Sequence, residues 1–334
     1  MAIRETGFTP VRAARSLVTG RTHVIGVVLE TGDGHPDLQH PFFQEVLVGL
    51  KHAVGSLGYD ILLFSSESPG NGSGTGASEH RYLARARQHR VDGLVVMGVD
   101  RHDTQIEELL TSGIPAMAVD LDVDGARVGH VMSDNVNGAA AAVRHLAELG
   151  HRRIALIGGP QDGRPGVDRL LGYRRELQRL GLDHRQAFVR EGDFYPESGY
   201  AEARSLLELP DPPTAVFAAA DLMAAGAIRA ISERGLRCPD DVSVVGFDDV
   251  QLAALLQPSL TTVRQDKRRL GQVAGEGLIR AIEDPELQPP VVVVPVELVI
   301  RSSSGRPPGT EVRTEGRGTH TEVPATTSRQ GGAV

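Results

Sequence analysis

From Val24 onward, short and continuously apolar runs alternate with longer stretches of helical periodicity. The runs include VIGVVLE (24–30), YDILLF (59–64), VDGLVVM (91–97), PAMAVD (115–120), RRIALIG (152–158), TAVFAA (214–219) and VSVVGF (242–247), with a further strand near 127–132. Between the first two lies FFQEVLVGLKHAVGSLG (42–58), whose apolar residues Val46, Leu47, Leu50, Val54 and Leu57 recur with a 3.6 period. Helical patterns follow near 79–89, 104–112, 137–149, 166–181, 197–208, 222–234 and 266–283. Continuous rather than alternating apolarity marks strands covered on both faces, as in parallel sheets. The chain is therefore expected to be an open, doubly wound α/β protein. So many strands exceed one modest sheet, and 334 residues suit two such units at roughly 100–200 residues each.

Composition narrows the function classes. With 40% hydrophobic residues the chain can bury real cores, and no apolar run approaches the ~20 residues of a bilayer span. The opening MAIRETGFTP has no apolar h-region, so a soluble cytoplasmic protein with no membrane association is expected. The single cysteine, Cys238, excludes an internal disulfide framework and multi-cysteine metal sites. GNGSGTG (70–76) lacks the lysine of a phosphate-binding loop and reads as a linker. GGPQDGRPG (158–166) follows a strand and opens a helix, but its glycines do not fit the dinucleotide fingerprint. There is no G-x-S-x-G, and the twelve histidines include no H-E-x-x-H. No catalytic residues, metal or cofactor are expected, and the chain does not read as an enzyme.

Polar residues at strand ends carry more information, because open α/β sheets bind ligands beyond the carboxyl ends of their strands. Asp120 ends IPAMAVD, Asp248 and Asp249 end VSVVGFDD, and Asp221 follows AVFAAA. Arg169 lies at the start of the helix after IALIGGP, Phe42 and Phe43 open the helix after the first strand, and Phe194 sits in the loop GDFYPE. Carboxylates and a guanidinium can bind vicinal hydroxyls while aromatic rings cover a ring's apolar face, which is sugar- or nucleoside-like recognition. The competing reading is that these aspartates cap the helices that follow. The acidic average (35 basic against 43 acidic residues) hides a local excess of three positive charges over residues 1–23. There, Val11–Val18 form a short Arg/Ala-rich stretch after a proline. Eight residues do not make a stable helix alone, so this segment is either a frayed terminus or an element that folds on a partner. Arg12 and Arg15 would meet phosphates, and Leu17 would act as an apolar wedge.

The runs GFTPVRAARSLVTGRTHVIGVV, PFFQEVLVGL, VDGLVVMG, IPAMAVD, SDNVNGAAAAVRHLAELGHRRIALIGGP, DRLLGYRREL, EGDFYPESGY, AVFAAADLMAAGAIRAI, PDDVSVVGFDDV and PSLTTVRQD resemble, in order, the LacI/GalR (lactose-repressor) family of transcriptional regulators. The resemblance covers about residues 1–303. It implies a periplasmic-binding-protein-like core of two doubly wound parallel-sheet subdomains flanking a ligand cleft, in a homodimeric repressor of carbohydrate-related genes. The implied units are a hinge-helix segment at 1–23, an N-terminal subdomain of 24–133 plus about 267–288, a C-terminal subdomain of 134–266 plus about 289–303, and a disordered tail at 304–334. Effector contacts are implied at Phe42, Phe43, Asp120, Arg169, Phe194, Asp248 and Gln265, beside Asp221 from the strand-end reading. Minor-groove contacts to operator DNA are implied at Arg12, Ala13, Arg15 and Leu17. Ala220 and Leu121 depart from residues common in sugar-binding members, and the loops at 31–40 and 66–78 are longer. MAIRETG resembles the end of the headpiece's last helix, so the chain is expected to lack the helix-turn-helix and to bind DNA weakly and with little specificity. The alternatives are a solute-binding protein of the same fold, or an enzyme built on it.

Overall fold

The computed structural model describes residues 20–29, 37–64, 81–99, 104–121, 123 and 125–309. The hinge stretch 11–18, most of the loops at 31–40 and 66–78, and the chain after 309 lie outside the described residues.

Chain order begins with β1 (Val24–Leu29), α1 (Pro41–Ser56), β2 (Asp60–Leu63), α2 (Arg81–His89), β3 (Gly93–Met97), α3 (Thr104–Thr111), β4 (Ala116–Val119) and β5 (Val128–Ser133). It continues with α4 (Asn135–Glu148), β6 (Ile154–Gly158), α5 (Arg164–Arg179), β7 (Val189–Glu191), α6 (Pro196–Leu207), β8 (Ala215–Ala218), α7 (Asp221–Glu233), β9 (Ser243–Asp248), α8 (Gln251–Leu255) and β10 (Thr261–Gln265). The last elements are α9 (Lys267–Glu283), β11 (Val291–Val294) and β12 (Val296–Val299). Two six-stranded sheets result, with orders β11-β5-β4-β3-β1-β2 and β12-β10-β9-β8-β6-β7. The pairings are parallel except for the antiparallel β10–β12 pair. Every residue of β3, β4, β6, β8 and β9 is buried, the pattern that continuous apolarity requires when helices cover both faces.

In the first lobe, α1 and α9 cover one face of the sheet, with Val46, Leu50, Leu270 and Leu278 in its core. These helices approach backbone to backbone. A Cβ on Gly271 would lie 1.9 Å from the Val46 carbonyl oxygen, and one on Gly49 would lie 2.0 Å from that of Arg268. α2 and α3 cover the other face through Tyr82, Leu83, Ile106 and Leu109. The second lobe is sandwiched likewise, α6 and α7 on one side and α4 and α5 on the other.

The chain passes between lobes three times. At the first two passages an aspartate caps the helix that follows: Asp134 Oδ1 accepts from the Asn137 N–H at 3.3 Å, and Asp266 Oδ1 from the Arg269 N–H at 3.0 Å. The third passage corrects the expectation that the chain returns near 289. β11 pairs in parallel with β5 from Val291↔His130 to Val294↔Ser133, so the first lobe extends to Val294 and the crossing falls at Pro295. Without an N–H to offer a ladder, that proline separates two strands of different sheets. The expected tail boundary at 303 also moves. His145 Nε2 lies 2.8 Å from Ser304 Oγ and His151 Nε2 lies 2.9 Å from the Gly305 carbonyl oxygen, so these residues satisfy buried imidazoles of the second lobe.

Candidate functional site

Strand ends from both lobes meet across a cavity of about 420 Å³. In the first lobe, β4 delivers Asp120 in a left-handed conformation (φ 52°). Its half-buried carboxylate accepts from the Ser133 N–H at 3.3 Å. Burial pushes this carboxyl up to about 6, against the pull of the Arg169 guanidinium. α1 brings Phe42 and Phe43, whose rings meet edge-on with centroids 5.3 Å apart. His40 caps this helix, its Nδ1 accepting from the Phe42 N–H at 3.3 Å. Val99, Val119 and Leu121 complete an apolar wall.

The second lobe supplies the charged wall. β9 ends in two successive left-handed residues, Asp248 (φ 118°) and Asp249 (φ 52°), a strained turn of the kind retained where geometry matters. Asp249 is held outward by Arg264 Nε at 2.7 Å and an Arg301 guanidinium nitrogen at 2.6 Å. Asp248 turns into the cavity, where Gln265 Nε2 donates to its Oδ1 at 2.6 Å. Arg169, only 3% exposed, lies 3.8 Å from Asp248 Oδ1. Its Nε donates to Asn135 Oδ1 at 2.9 Å, another guanidinium nitrogen donates to the Ala219 carbonyl, and its plane stacks 3.9 Å from the centroid of Phe247. Burial lowers its pKa, and the surrounding aspartates, Asp248 foremost, counter that. Phe194 adopts φ 71° and lays its ring on Gly159, where a Cβ would sit 2.0 Å from the ring. The imidazole of His40 meets the Tyr195 ring edge-on at 5.4 Å, joining the lobes at the cavity.

Six of the eight sequence-derived residues therefore wall one cavity: Phe42, Phe43, Asp120, Arg169, Phe194 and Asp248. Gln265 stands behind Asp248 and orients it; its own Oε1 is buried with no hydrogen-bond partner among the described residues. Asp221 does not reach the cavity. It is fully buried and accepts from the Val250 N–H at 2.8 Å and from Thr262 Oγ1 at 2.5 Å. Burial, with Asp248 nearby, raises its pKa well above the usual carboxylate range. The first residue of α7 thus ties β9, β10 and α8 together instead of facing a ligand. The sequence reading missed His40, Tyr195, Arg164 and Asp193, which share the cavity wall. The PFF and DFY runs beside His40 and Tyr195 were the available signal. Burial pushes the Cys238 thiol up to about 12, away from nucleophilic chemistry. Among the described residues, no group of three or more His, Cys, Asp or Glu side chains could hold a metal ion.

The periplasmic binding protein-like domain family matches residues 143–304. The HTH-type transcriptional regulator CelR of Thermobifida fusca is 36% identical over 90% of this chain and 87% of its own length. The HTH-type transcriptional repressor PurR of Edwardsiella ictaluri is 35% identical over 90% and 86%, respectively. Among solved structures, a CelR–cellobiose complex superposes with a TM-score of 0.77 at 33% identity, covering 91% of this chain and 88% of that one. The lac repressor dimer bound to operator and the anti-inducer ONPF superposes with a TM-score of 0.75 at 29% identity, over 90% and 100%.

Proposed function

Because the chain belongs to the LacI family of transcriptional regulators, we propose that its interlobe cavity binds a small sugar-like effector and that binding controls operator DNA affinity in a homodimer. The observation that carries this reading is the cavity of about 420 Å³, walled by Phe42, Phe43 and Asp120 on one side and by Arg169, Phe194 and Asp248 on the other. An effector touching both walls favours one closure angle. It shifts that equilibrium only by its difference in affinity for the open and closed forms. The relatives support the two halves of the proposal separately: CelR is described with cellobiose, and the lac repressor dimer is described on its operator.

The mechanism follows from the three crossings. Residues 134, 266 and 295 lie between the sheets, so closure rotates one lobe on the other without disturbing either core. In a dimer, that rotation moves the first lobes and changes the spacing of the segments before Val24. There, Arg12 and Arg15 contact phosphates and Ala13 and Leu17 enter the minor groove. A coupling of about 1–3 kcal/mol between effector and DNA follows for such a device. The protein acts in the cytoplasm, where operators are; no helix among the described residues is long and apolar enough to cross a membrane.

The test is a thermal-shift screen of sugars and nucleosides, repeated with Asp248→Ala, beside a mobility shift on operator-like DNA with and without the responding ligand. A ligand that stabilises the parent, fails with the variant and changes DNA affinity supports the proposal. A screen without response, or a variant that responds equally, removes it.

A further inference from the structure

Resting on the reading of the cleft as an effector site, the geometry points to a ligand class defined by charge: a hydroxyl-rich molecule that is uncharged or carries an amine, with phosphorylated and carboxylated sugars excluded. The cavity wall carries four carboxylates, Asp120, Asp162, Asp193 and Asp248, against the guanidiniums of Arg164 and Arg169. Both cations already bond within the protein. Arg164 Nε bonds Asp168 Oδ2 at 2.8 Å, and Arg169 is spread over Asn135, Ala219 and the Phe247 ring. His40 is also tied to the protein, its Nδ1 accepting from the Phe42 N–H and its ring edge-on to Tyr195.

Asp120 and Asp248, by contrast, are under-supplied with donors, whereas Asp193 accepts from the Tyr195 N–H at 2.8 Å and the Ser198 hydroxyl at 2.6 Å. A carboxylate offers about four lone-pair sites. Among the described residues Asp120 accepts a single hydrogen bond, 3.3 Å from the Ser133 N–H. Asp248 accepts from Gln265, and its nearest cation stands 3.8 Å away. Leaving the buried Asp248 short of donors is costly, and the half-buried Asp120 lines the same cavity. Hydroxyls or an ammonium supply donors to both aspartates at once, one from each lobe, and so reward closure. A phosphate brings only further acceptors and about two more negative charges. Beside Asp120 on the first-lobe wall, Phe42, Phe43 and Leu121 cover the C–H face of a ring and themselves add no charge. At about 420 Å³, the cavity lies near the small end of the ~300–1,000 Å³ range of ligand sites.

The full chain is titrated with D-glucose, cellobiose, D-ribose and D-glucosamine, and in parallel with glucose 6-phosphate, ribose 5-phosphate and glucuronate, by thermal shift and then calorimetry. At least one member of the first set is expected to bind, with its anionic counterpart at least about tenfold weaker, as like-charge juxtaposition requires. Asp162→Lys, at an exposed position of the wall, is expected to narrow that gap. An anionic derivative that binds as tightly as its neutral parent overturns the charge rule and leaves the effector reading standing. Silence in both sets counts against the effector reading itself, and the inference falls with it.

Discussion

Replacing Arg169 with methionine is expected to destabilise the protein by about 3–5 kcal/mol near pH 7.5, the cost of removing one partner from a buried charge cluster. At 3.8 Å from Asp248 and an effective dielectric of ~20, the lost attraction alone is about 4 kcal/mol. The desolvation of the guanidinium that no longer has to be met offsets part of this. Methionine keeps the apolar volume, so the cavity term is small. What remains is uncompensated: Asp248, 2% exposed, loses its nearest cation, and the Ala219 carbonyl and Asn135 Oδ1 lose their donor. The loss is expected to shrink at pH 5, because Asp120 (about 6) is then already protonated in both proteins. Adding Asp248→Asn should restore at least ~1 kcal/mol, since the orphaned charge is gone and the two positions are coupled. Urea unfolding of the four proteins of the cycle at both pH values, with the slope held constant, measures all three quantities. A loss below ~1 kcal/mol at pH 7.5, equal at both pH values, would refute the view that Arg169 neutralises the cavity floor.

Other perturbations separate the site from its scaffold. Asp120→Asn should raise the melting temperature above pH 6 and leave it unchanged below about pH 4. The raised carboxyl (about 6 against 3.8) contributes stability that is present below 3.8 and lost as pH rises through 6, and the amide mimics the protonated form. Thermal melts across that range check it. Asp221→Ala should cost about 2–5 kcal/mol by denaturant titration, because it strands the Val250 N–H and the Thr262 hydroxyl, while Asp221→Asn should cost less. Gly271→Ala should destabilise by at least ~1–3 kcal/mol, because its Cβ meets backbone 1.9 Å away and neither helix can yield; equal stability would mean that α1 and α9 are less tightly packed than described.

The continuous apolar runs were enough to reveal β1, β3, β4, β6, β8 and β9, which are buried on both faces. β7, with three residues, β10, with the polar TTVRQ, and β12, broken by Glu297, present too little apolar signal to stand out as strands. β11 reads VVVV and is half exposed at the sheet edge; the sequence reading named no strand there and gave about 289–303 to the second lobe, because a strand's partners are not written in its composition. At the site, Asp120, Asp248, Arg169 and Phe194 were legible because the ends of parallel strands and the turns after them face one side of a sheet. That rule does not say which way a side chain turns. Asp221 stands at such an end and points inward to Thr262, which only the packing of α7 decides. His40 and Tyr195 are 155 residues apart and are joined only by how the lobes face each other.

The three passages of the chain also govern the order in which the molecule can assemble during synthesis. The first lobe has its strands β1 to β5 by Ser133, but the helix that covers one face of its sheet, with Leu270, Val273, Leu278 and Ile282, follows only after the second lobe's six β-strands bar one. Until Lys267–Val294 emerge from the ribosome, that sheet face has only α1 against it. Exposed apolar sheet of this kind invites aggregation. A chain stopped at Asp266 would therefore be a poor fragment of the protein, with neither half able to finish its own core without the last forty residues of the fold.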